Sequence, residues 1–167
     1  MIYETSVPVF IHYLKSLSSI LKKAEAHCEA KKIDPAVLLG MRLYPDMLAL
    51  TRQVQIATDS AKGAGARLAG IAVPSFADEE KTFADLQSRI AKTQDFLGTL
   101  TKEQFAGAAT RAISFKAGSR EMNFTGGEYL EIWAKPNFFF HVTTAYAILR
   151  HNGLDIGKPD YLAGGTV

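Results

Sequence analysis

Residues 125–153 read TGGEYLEIWAKPNFFFHVTTAYAILRHNG. Leu130, Ala134, Asn137, His141, Ala145 and Ile148 recur in this stretch at steps of three and four, the period of one helix face. Thr125 and Glu128 stand three apart, the spacing of a capping box, and Gly153 offers a C-terminal stop. The stretch therefore predicts one long helix near the end of the chain. Its face is apolar except at Asn137 and His141.

Three further stripes with the same period lie upstream. The first runs Val7, Phe10, Leu14, Leu17, Leu21, Ala24 and Cys28, with Lys15, Lys22, Lys23 and Glu25 off the stripe. The second runs Met47, Leu50, Val54, Ala57, Ala61, Ala64 and Leu68, with Pro45 as its expected start and Gly70 as its stop. It narrows to alanines and glycines in AKGAGARLAG, where another backbone can come close. The third runs Phe83, Leu86, Ile90, Thr93, Leu97 and Leu100. Four long amphipathic segments predict an all-α fold, an antiparallel four-helix bundle.

The connections carry minor elements. Asp34-Pro35 followed by AVLLGMRL predicts a short extra helix before the second long one. Thr101 and Gln104 repeat the capping-box spacing. Ile113 and Phe115 alternate, as do Met122 and Phe124, across the turn-prone KAGS. This predicts a small β-hairpin before the last helix. The tail from Leu154 to Val167, with Gly157, Pro159, Gly164 and Gly165, is expected to wrap the surface without regular structure.

Bulk properties exclude several classes. The 167 residues suit a single domain over 1–167, 47% apolar and 22% charged, as in ordinary soluble proteins. Nineteen basic and 17 acidic residues are scattered for a formal charge of +2, with no basic run, so no nucleic-acid partner is expected. No stretch reaches the roughly 18 uninterrupted apolar residues of a membrane span. The single cysteine, Cys28, and an N-terminus without a cationic leader fit a cytoplasmic protein.

The polar interruption in the last helix is the candidate site. Asn137 and His141 lie about 40° apart on the helical wheel and are expected to face the bundle axis. An unpartnered polar side chain there costs roughly 1–3 kcal/mol, so something must answer it. Three answers are open: a hydrogen-bonded partner on a neighbouring helix, a pocket holding a small molecule, or a metal ion. Residues four apart suit two ligands on one ion, but asparagine is a poor ligand for the metals histidine prefers. Pro136 removes a backbone donor just before the pair, which predicts a kink there: either one that opens the bundle at that level or a tolerated bend without function.

PNFFFHVTTAYAILRHNG, together with RQVQIATDSAKGAGARLAG, SVPVFIHYLKSL and the KPDYLAG tail, resembles an uncharacterised branch of the DinB/YfiT-like metalloenzyme superfamily. The resemblance covers nearly the whole chain. It implies a four-helix bundle that often forms a homodimer. In that superfamily three histidines commonly bind a divalent metal, one on the second helix and two four apart on the fourth, and several members carry out metal-assisted thiol transfer. His141 matches the second histidine of the fourth-helix pair, Asn137 stands where the first would be, and no histidine lies between Pro45 and Gly70. The polar candidates on the second helix are Thr51, Gln55 and Thr58.

The first expectation is therefore a small-ligand pocket built from His141, Asn137, Gln55 and Thr58. The alternative is a thiol-transferase-type enzyme in which His141 ligates zinc, nickel or iron. A third is a bundle without a site. His12, His27 and His151 fall off the stripes, Cys28 is in register with the core, and the GAGARLAG glycines end a helix rather than follow a strand, so none adds chemistry. Phe139, Thr143, Tyr146 and Arg150 project away from His141. They are expected to meet a second subunit, or else the hairpin or the C-terminal tail.

Overall fold

The computed structural model describes residues 1–166. Val167, the last residue of the expected tail, lies outside the described residues. α1 (Val7–Lys31) buries all seven positions of the first stripe, and Lys32 closes it in the left-handed conformation. Asp34 caps α2 (Pro35–Leu39) by accepting from the Ala36 amide. α3 (Leu50–Ala69) ends at Gly70, whose φ of 73° is the left-handed value that glycine tolerates. Thr82 and Asp85 exchange hydrogen bonds in a capping box that opens α4 (Phe83–Gly98).

A 3₁₀ turn at Lys102–Phe105 leads to the hairpin, β1 (Ala112–Ala117) paired antiparallel with β2 (Arg120–Thr125). Its register sets Ile113 opposite Phe124 and Phe115 opposite Met122, as the alternation predicts. Thr125 and Glu128 then cap α5 (Gly126–Glu128) reciprocally. The helix continues through a wide π turn, Tyr129–Ala134, into α6 (Lys135–His151), and the chain closes with α7 (Lys158–Leu162). In the π turn the Lys135 amide donates to the Leu130 carbonyl, five residues back. Pro136 has no N–H for the Ile132 carbonyl and its ring crowds that group; the wider turn relieves the crowding. The irregularity that Pro136 predicts thus takes the form of a π turn, one turn before it.

α3 packs on α4 and α6, and α1 packs on α4, α6 and α7. Their stripes meet in one cluster that includes Phe10, Leu14, Leu50, Val54, Leu86, Ile90, Phe138 and Ile148.

Three expectations are corrected. The bundle is not antiparallel throughout. On α3 and α6, Gln53 meets His141 and Arg67 meets Tyr129, so these two run antiparallel. On α3 and α4, Thr58 meets Arg89, and Gly65 lies against Leu97 and Leu100, so these two run parallel. The chain returns along the bundle in an irregular crossover, residues 71–82, before α4 begins. Twelve extended residues reach about 40 Å, enough to retrace the roughly 30 Å of a 20-residue helix. The second long helix starts at Leu50 rather than at Pro45, because Ala49 is extended and the Leu50 amide donates back to the Met41 carbonyl. The tail also contains regular structure: α7 lies on α1, held by the Lys23–Asp160 ion pair (2.5 Å) and by His12 Nε2 at 2.8 Å from the Leu162 carbonyl.

Candidate functional site

His141 is buried on α6, 8% exposed, with its Nδ1 2.7 Å from Oε1 of Gln53 on α3. The Gln53 amide nitrogen donates to the Leu48 carbonyl at 3.0 Å, so its oxygen must accept. That assigns the proton to Nδ1 and leaves Nε2 as an acceptor with no partner among the described residues. Burial first, and the nearby Arg52 charge second, hold the imidazole below its usual range, so it is neutral at pH 7. The partner that answers His141 is thus a buried glutamine that the stripe analysis missed. Gln53 lies one position before Val54 of the apolar stripe, and a wider reading of the buried face would have included it.

Asn137 does not join this pair. It is half-buried one turn earlier on α6, where it faces α3 residues Ile56 and Ser60 across a groove of about 260 Å³. The groove is walled by Phe115 of the hairpin and by Tyr129 and Trp133 of the π turn. The rings pack edge to face, Phe115 with Tyr129 at 5.6 Å and with Trp133 at 5.5 Å. Arg67 stacks its guanidinium on Phe115 at 4.7 Å and donates to the Tyr129 hydroxyl at 3.3 Å. Gly63 leaves room for that guanidinium: a Cβ there would stand 2.5 Å from Nη1. Neither the Asn137 carboxamide nor the Ser60 hydroxyl has a hydrogen-bonding partner among the described residues. The wide turn sets Trp133 against the hairpin, and the groove opens beside it.

Gln55 and Thr58 turn the other way, toward the crossover. The Gln55 amide donates to Glu80 at 2.6 Å and its oxygen accepts from Arg52 at 2.6 Å. Thr58 accepts from Nε of Arg89 at 2.8 Å. Arg89, 3% exposed, also binds Asp59 (2.9 Å), Asp78 (3.0 Å), Glu80 (2.9 Å) and the Ala77 carbonyl (2.8 Å). Burial opposes ionisation of Glu80, but the hydrogen bonds from Arg89 and Gln55 outweigh it and keep the carboxyl below its ordinary range. Phe76 packs under Lys62 (4.0 Å) and Lys92 (4.2 Å). These groups lash the crossover to α3 and α4. Thr51 donates to the Leu39 carbonyl at the end of α2.

A first-row metal centre needs several imidazole, thiolate or carboxylate donors. No group of three or more His, Cys, Asp or Glu side chains that could hold an ion occurs among the described residues. Opposite His141 stands a carboxamide already engaged at both ends. The residues present do not fit the ion. Cys28 is buried in the core, and burial pushes its thiol up, away from reactivity.

The chain's own tail packs on part of the aromatic face opposite His141, leaving Phe139 and Tyr146 half-buried and Thr143 and Arg150 exposed. Tyr161 of α7 packs on Tyr13 (5.1 Å) and Tyr146 (6.2 Å), and its hydroxyl accepts from Thr143 at 3.2 Å; Phe139 packs on Tyr13 at 4.9 Å.

The family model described as a domain of unknown function, DUF1993, matches residues 2–162. The chain belongs to the DUF1993 family. A crystal structure of a DinB family member protein from Shewanella denitrificans superposes with a TM-score of 0.91 at 46% identity, covering 97% of this chain and 92% of that one. This DUF1993 chain is therefore part of a DinB-like branch of unknown function, as the sequence resemblance implies. No curated protein matches it.

Proposed function

We propose that the protein is a small-molecule-binding module whose site is the groove on the α3–α6 seam beside Asn137. The observation that carries this reading is a carboxamide and a hydroxyl, Asn137 and Ser60, without partners in the chain and facing a cavity walled by three aromatic rings. Ligand sites combine an apolar wall with a few convergent polar groups in this way. At about 260 Å³ the groove falls just below the usual range of about 300–1,000 Å³, which favours a single-ring ligand. In this reading His141 and Gln53 fix the distance between α3 and α6 one turn away, while Gln55 and Thr58 hold the crossover.

Trp133 is the chain's single tryptophan and lies in the groove wall. Screening a panel of single-ring fragments by its indole N–H resonance therefore tests the site directly. Saturable shifts that are lost in Asn137→Leu are expected; a panel that leaves the indole signal unmoved sinks the reading. The metal-dependent alternative keeps one discriminating measurement. Stoichiometric zinc, nickel or iron in untagged protein, absent from His141→Ala, would restore it over the binding module.

A further inference from the structure

We infer that the ligand of the Asn137 groove is a small aromatic carboxylate, its ring against Trp133 and Phe115 and its carboxylate on Arg67. This inference rests on the binding reading above and names the ligand's chemistry.

The charges around the groove decide its sign. Asp59 is the acid on its rim, but it already holds two cations, Lys62 Nζ at 2.8 Å and Arg89 Nη2 at 2.9 Å. Arg67 and Lys116 also line the groove and make no ion pair among the described residues; Lys116 stands opposite Glu121 in the hairpin register, whereas Arg67 has no acid set opposite it. Arg67 is therefore the cation of the groove wall that has no paired acid. A guanidinium has five N–H donors, and Arg67 commits one of them, to the Tyr129 hydroxyl. Its face is fixed on Phe115, so the remaining donors form a preorganised fork beside the aromatic wall. Such a fork accepts a planar carboxylate through paired hydrogen bonds. Asn137 and Ser60 are left to take a hydroxyl or amino substituent on the ring.

The test uses the full chain and two isosteric probes, 4-hydroxybenzoate and the neutral 4-hydroxybenzamide, titrated at constant ionic strength and followed by the Trp133 indole resonance. The carboxylate is expected to bind about tenfold or more tightly than the amide, the size of a charge-assisted hydrogen bond. Arg67→Gln should remove that difference. Gly63→Ala should weaken the carboxylate selectively, because the added Cβ displaces the end of a flexible arginine and leaves the backbone in place. Equal binding of the two probes, or a difference that persists in both variants, overturns the anionic assignment while the groove remains a binding site. Failure of both probes also overturns it. Neutral fragments that bind would then preserve the groove reading, and a fully inert groove would end both.

Discussion

His141 and Gln53 show how a single polar pair can fix two helices in register. Gln53→Ala leaves a buried Nδ1–H without an acceptor, and a loss of about 1–3 kcal/mol in urea denaturation is expected. The same imidazole gives the protein a pH dependence. Its folded-state pKa is below the ordinary 6.5, so the unfolded chain takes up the proton first as pH falls. Stability should therefore drop as pH decreases below about 6.5 until the lower folded value is passed, and His141→Gln should flatten that part of the profile. The carboxyls of Glu80 and Asp78, both held below their ordinary values, add a separate acid loss at lower pH. His141 was legible in the sequence because it interrupts an apolar stripe. Its partner was not, because Gln53 lies beside a stripe and a one-dimensional pattern does not reveal which neighbour will face it.

At the scale of elements, the close approach of α3 to α4 depends on Gly65. A Cβ there would stand 2.6 Å from Leu97 Cδ2 and 2.8 Å from Leu100 Cδ1. Gly65→Ala should overpack the core by about 1–3 kcal/mol, partly offset by up to ~1 kcal/mol of helix propensity. Gly63→Ala, two residues earlier and facing an arginine tip, should keep the propensity gain without that cost; thermal denaturation of the two variants separates them. The crossover has its own anchor. Arg89→Met removes the bonds to Thr58, Asp78, Glu80 and the Ala77 carbonyl, leaving Glu80 to Gln55, Asp78 to Arg52 and Asp59 to Lys62. The loss should be about 3 kcal/mol, at the lower end for broken buried pairs because Asp59 and Asp78 are still 41% and 42% exposed. Amide exchange should then accelerate in residues 71–82 before it does in α3. The stripes foretell each long helix, but the spacing of Gln55 and Thr58 fits a ligand pocket equally well and does not reveal the strap that crosses over them.

Across the whole molecule, the tail decides which aromatic surface meets water. α7 covers Tyr13 and Tyr146 through Tyr161 and is tied down by Lys23, and Ser16 accepts from the Gly164 amide. A chain ending at Ile156 should expose those rings, and sedimentation should show more self-association than in the full chain at the same concentration. Hydrophobic period determined the number of long helices and most of their buried faces, since a stripe at three and four residues is a local property of the chain; where the second one begins was set by tertiary contacts at Leu50. Turn chemistry likewise placed the hairpin and the capping boxes that bracket it. The direction of α4, the course of the crossover, the pairing of His141 with Gln53 and the separation of Asn137 into an aromatic groove were decided by tertiary packing. Each depends on which surfaces residues far apart in the chain present to one another, and the period of a single helix does not encode that.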